Sequence, residues 1–118
     1  MESACPMVPL ADLKCVPCKG GTPPLKGQEL EKLAARLRLW NVVDEHHLSR
    51  TFRFPDFVSA LAFVNRLGAV AEEQQHHPNI FLTWGKVTVE VHTHKINALT
   101  ESDFILAAKI DRIAPEPA

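Results

Sequence analysis

The chain has 118 residues, 46% hydrophobic and 23% charged. That suits one soluble globular domain able to bury about two-thirds of its unfolded surface. Thirteen Lys and Arg against 14 Asp and Glu leave a formal charge of −1, which offers no basic footprint for nucleic acid. No apolar run is long enough to cross a membrane, and the first residues lack the basic and continuous apolar regions of a signal peptide. A cytoplasmic location is expected.

Cys5, Cys15 and Cys18 all lie in the first eighteen residues. An odd count is a poor disulfide framework. Cys15-Val16-Pro17-Cys18 has the spacing of a zinc knuckle or a redox pair, but no further ligands lie nearby. Gly20-Gly21 and Pro23-Pro24 follow instead of a helix. Residues 1–22 therefore read as a flexible arm with reduced thiols, residues 23–114 as the domain and 115–118 as a tail.

The first helix is expected over 27–37, where Leu30, Leu33, Ala34 and Leu37 form one apolar face. Residues 40–43 are short and apolar, and Asp44-Glu45-His46 reads as a turn. Over 48–54, Leu48, Phe52 and Phe54 alternate with Ser49, Thr51 and Arg53, the pattern of a half-buried strand and hence a β-hairpin. Arg50 interrupts the apolar face, as an edge position would allow.

Pro55-Asp56 opens a long helix, with proline in its first turn and a carboxylate at its positive end. Phe57, Val58, Leu61, Val64, Leu67, Val70 and Ala71 supply a wide stripe expected to pack in the core. His77-Pro78 should end this helix, because proline disfavours the α conformation in the residue before it. Strands are expected over 80–84 and 87–93, around a turn at Gly85-Lys86. In the last one Val87, Val89 and Val91 alternate with Thr88, Glu90 and His92. A loop over 95–99 leads to a final helix, where Thr100 and Asp103 have capping-box spacing. The order α-β-β-α-β-β-α predicts an α+β fold: a four-stranded antiparallel sheet with three helices packed on one face.

Chemistry concentrates late in the chain. His76, His77, His92 and His94 fall within nineteen residues. Period-two alternation puts His92 and His94 on one side of their strand, which should pair with the strand beginning after Pro78. Acid–base catalysis fits such a convergence, because imidazole titrates near neutrality. A His-rich metal site with Glu72 as a carboxylate ligand fits it as well.

The spacing Glu72, three residues, His76-His77-Pro78, five residues, Trp84, nine residues, His94, eight residues, Asp103 resembles the signature of the pterin-4a-carbinolamine dehydratase family. The resemblance runs from about residue 25 to 113 and includes Trp40 and the segment Leu99-Thr100-Glu101-Ser102-Asp103-Phe104. The arm from Cys15 to Gly21 looks like bacterial members.

The resemblance implies metal-free dehydration of 4a-hydroxytetrahydrobiopterin to quinonoid dihydrobiopterin, without a cofactor, in pterin recycling after aromatic amino-acid hydroxylation. It implies a catalytic set of His76, His77 and His94, supported by Glu72, one helical turn before His76, and by Asp103. Gln75, Thr93 and Lys95 would join the histidines in holding the pterin, with Trp40 walling the pocket. Ile80 stands where many relatives carry a second tryptophan, which bears on pocket shape. His46 and His47 match no signature position and are expected to be dispensable, and His92 to matter little. A homo-oligomer, dimer or tetramer, is also implied. The rival reading is a non-catalytic interaction protein, since some relatives are dimerisation cofactors of a transcription factor and others Rubisco assembly factors.

Overall fold

The computed structural model describes residues 9–15 and 23–114. The elements in order are a short 3-10 turn (Leu10–Asp12), α1 (Gly27–Ala34), β1 (Asn41–Val43), β2 (His47–Arg53), α2 (Phe57–Gln74), β3 (Asn79–Thr83), β4 (Lys86–Val91) and α3 (Glu101–Ile113). The expected α+β order is present, with three helices and one four-stranded antiparallel sheet. Cys5, Cys18 and the tail lie outside the described residues.

The sheet order is β1-β2-β4-β3, so two hairpins join through their inner strands. Leu48 pairs with Val91 and Phe52 with Val87. The alternation seen in the sequence then puts Leu48, Phe52, Val87, Val89 and Val91 on one face, all buried beneath α2 and α3. α1 lies against α3. β2 lies between β1 and β4, but β1 pairs only with residues 47–49, so the side of Arg50 away from β4 is open, as an edge position would allow. Arg50 reaches Asp111 on α3 at 2.5 Å and lies over the Phe52 ring at 4.2 Å, which explains how a cation sits on the apolar face.

α2 buries only part of the expected stripe: Leu67 and Ala71 are buried, and Val64 and Val70 pack half-buried against the core. Ala60, Phe63, Leu67 and Ala71 face the core, whereas Phe57, Val58 and Leu61 are exposed. The wide apolar surface of this helix let two overlapping stripes be drawn, and packing against β3, β4 and α3 chose between them. Its start is near the expected one, but Pro55 precedes the helix instead of lying in its first turn: Asp56 is the N-cap, its carboxylate accepting from the Ser59 backbone N–H at 2.8 Å. The 3-10 turn packs on α3, with Leu10 buried, and the Cys15 thiol donates to the Ser102 carbonyl at 3.4 Å. Burial pushes that thiol up to about 11.

Candidate active site

Three turns of the chain converge at one end of the sheet. The first ends α2. Gln75 adopts the left-handed conformation (φ 54°), its N–H bonds the Glu72 carbonyl, and the His76 N–H bonds the Ala71 carbonyl at 3.1 Å. This Schellman-type closure stops the helix at Gln74, earlier than Pro78 alone would require. It also reverses the chain, so that successive histidines point to different partners.

His76 turns inward to the start of α3. Its Nε2 lies 2.5 Å from Oδ1 of Asp103, a carboxylate with no exposed surface. The other carboxylate oxygen accepts from the Thr100 backbone N–H and from the Thr93 hydroxyl, both at 2.8 Å. One residue thus caps a helix and fixes an imidazole. A buried carboxylate is tolerable only when its lone pairs are used in this way. The carboxylate oxygen accepts, so the His76 Nε2–H is the donor in this bond.

His77 turns back over the helix it has just left. Its Nε2 is 2.5 Å from Glu72 Oε2, and both side chains are mostly exposed. The expected i, i+4 pairing of Glu72 with His76 is therefore absent, because that spacing holds only while the helix continues. His94 closes the group: its Nε2 donates to the His77 carbonyl at 3.3 Å. His94 is thereby bonded to the backbone of the segment that carries His76 and His77, whose rings point to different partners.

Residues 23–113 match the family model described as pterin 4 alpha carbinolamine dehydratase. The chain belongs to this family. A relative in Rubrobacter xylanophilus, provisionally named a pterin-4-alpha-carbinolamine dehydratase, is 63% identical over 91% of this chain and 100% of its own length. One from Rickettsia canadensis, with the same provisional name, is 52% identical over 89% of this chain and 97% of its own. Among solved structures, a transcriptional coactivator/pterin dehydratase from Brucella melitensis superposes with a TM-score of 0.74 at 33% identity, covering 79% of this chain and all of that one. A pterin dehydratase-like protein identified as a RuBisCO assembly factor in the alpha-carboxysome superposes with a TM-score of 0.57 at 26% identity, covering 66% of this chain and 92% of that one.

The remaining positions suggested by the family signature are distributed unevenly. Gln75 is exposed at the chain reversal, and Lys95 is exposed in the turn over 94–97. Thr93 is buried; its hydroxyl goes to Asp103, and its N–H and C=O both pair with Ala98. It supports Asp103 from behind, and its N–H is taken up by Ala98. Trp40 does not wall this site. It is buried against Phe52, with Nε1 donating to Asp111 at 2.8 Å, about two helical turns along α3 from Asp103. Among the described residues no group of three His, Cys, Asp or Glu side chains is gathered in a metal-holding arrangement.

Two further histidines lie beside this group. His92 stacks on His94 with ring centroids 4.2 Å apart, and His46 stacks on His92 at 4.7 Å. His46 belongs to the first hairpin and comes alongside only because β2 pairs with β4 from Leu48–Val91 onward. Period-two patterning shows which face a residue takes but not the register between strands, so this neighbour was invisible. Burial, then the charges of His94, His46 and His47 outweighing that of Asp103, hold the His92 pKa below its ordinary value.

Proposed function

We propose that this protein catalyses the dehydration of 4a-hydroxytetrahydrobiopterin to quinonoid dihydrobiopterin by histidine acid–base catalysis. In that reaction the C4a–O bond breaks, the hydroxyl takes up a proton and departs as water, and a ring N–H proton is removed as the C=N bond forms. One proton is delivered and one collected. The observation that carries the reading is the pair of carboxylate-held imidazoles on consecutive residues, His76 on buried Asp103 and His77 on exposed Glu72, with His94 bonded to the same segment. Two rings in different surroundings can divide the roles of acid and base. The reaction needs no redox partner, and the donors on hand suffice without a metal. Its place is recycling of the pterin oxidised by an aromatic amino-acid hydroxylase, and the family relationship supports a homo-oligomeric working form.

The test is the decay of freshly generated 4a-hydroxytetrahydropterin, followed optically. Wild type should accelerate it, and replacing His76, His77 or His94 by alanine should lower the rate about a hundredfold to ten-thousandfold. Wild type failing to accelerate the decay would overturn the proposal. The second reading, a non-catalytic interaction protein, would then stand; the exposed Phe57, Val58 and Leu61 on α2 favour it.

A further inference from the structure

An exposed histidine on a turn has no reason to keep one ring orientation. His94 is exposed, yet its ring is held at two places: Nε2 donates to the His77 carbonyl at 3.3 Å, and its face lies on His92, with centroids 4.2 Å apart at 55°. His92 in turn lies on His46, at 4.7 Å and 36°. His46 is fixed at both nitrogens, Nε2 by Asn97 Oδ1 at 2.8 Å and Nδ1 by His47 Nδ1 at 3.1 Å. His47 Nε2 lies 3.9 Å from Glu90 Oε2. The row therefore starts at a clamped ring and ends at the ring bonded to His77.

The backbone adds an independent sign. Among the described residues, the non-glycine residues with positive φ are Asp44, Glu45, Gln75 and Asn97. They occupy the three turns that carry His46, His76 and His94. Left-handed conformations of such residues are unfavourable and persist where the surroundings over-determine them, often at functional sites.

We propose that His46 and His92 are positioning residues for His94: the stack sets the plane of its ring, so that the bond to the His77 carbonyl sets its tautomer and leaves Nδ1 free to accept a proton. A stack of this kind needs rings that do not repel. The lowered His92 pKa agrees, since it keeps the middle ring neutral at physiological pH. The groups around that ring are His94, His46, His47 and Asp103. This reverses the expectation that His46 is dispensable and that His92 matters little. Only the catalytic consequence rests on the dehydratase reading; the placement of the ring does not.

The experiment reads both. Nitrogen-15 spectra of the full-length protein should show His94 as the Nε2–H tautomer in wild type. In His92→Ala and His46→Ala the two ring nitrogens should move towards a tautomer mixture. His92→Phe, which keeps an aromatic ring without a titrating group, should restore the wild-type pattern. In the optical assay His92→Ala should lower kcat about tenfold to a hundredfold with little change in KM, the scale expected for a misplaced catalytic group, and His92→Phe should recover most of that loss. An unchanged His94 spectrum in His92→Ala overturns the positioning role. If wild type itself is inactive, the dehydratase reading fails, and the spectra still decide the role of the stack.

Discussion

Asp103 shows how much one residue can carry. The same carboxylate caps α3 through the Thr100 N–H, binds the Thr93 hydroxyl and holds the His76 ring. The Glu72–His77 pair has similar length but stands in solvent. Solvent screening makes such exposed pairs weak, commonly under about 1 kcal/mol, whereas a buried carboxylate fixes its partner firmly. Asp103→Asn should therefore lower the dehydration rate about a hundredfold or more and reduce the melting temperature, because the amide presents a donor where acceptors are needed. Glu72→Gln should cost less than about tenfold. Equal losses in the optical assay would contradict this ranking. The His92 ring gives a second expectation at this scale. Its folded pKa lies below the ordinary 6.5, so the unfolded chain binds more protons as the solution is acidified. Stability should be insensitive to His92 above pH 6.5 and fall as the pH drops below it. Urea midpoints measured across that window should show the dependence, and His92→Phe should flatten it.

Among the elements, α2 is the one whose ends matter most. Its first turn is set locally: Asp56 accepts from Ser59, and the carboxylate is held below its usual pKa by that donor. Asp56→Ala should destabilise the protein without moving the histidines. Thermal melts together with the optical assay check it: a lower melting temperature with near-normal rate is expected. The last turn does something the first does not. By reversing the chain at Gln75, it sends His76 to α3 and His77 back to Glu72. A helix running on to His77 would have aligned Glu72 with His76 instead. The loop from β4 to α3 is tied down similarly, by the paired backbones of Thr93 and Ala98.

The whole molecule leaves apolar surface unburied. Phe57, Val58 and Leu61 on α2, and Phe81 and Trp84 on the β3–β4 hairpin, are all at least 40% exposed, and β1 and β3 are sheet edges. Bare edges and apolar patches of this kind call for partners or protection. A homo-oligomer, dimer or tetramer, is the expected outcome at micromolar concentration, and light scattering that returned a monomer would refute it. Activity is expected to survive exhaustive chelation, since the proposed proton transfers use only histidines and carboxylates. Elemental analysis finding about one zinc or iron per chain, with activity lost on removal, would count against the acid–base account.

Much of this was legible before any coordinates. The alternation of Val87, Val89 and Val91, the cap at Asp56 and the order of elements are local signals, and each reads directly into a strand, a helix start or a fold class. The histidine positions were legible too, because His76, His77 and His94 sit next to features with strong local rules: a proline, a helix end and a strand end. What failed depended on contacts between distant segments. The Trp40 ring went to Asp111, seventy-one residues away, and the Arg50 guanidinium reached the same carboxylate. Glu72 chose His77 because one left-handed residue redirected the chain, and His46 joined His92 because of strand register. Periodicity reports which way a side chain faces within its own element. Which side chain it meets there depends on register and packing, and neither is written in any single stretch of the chain.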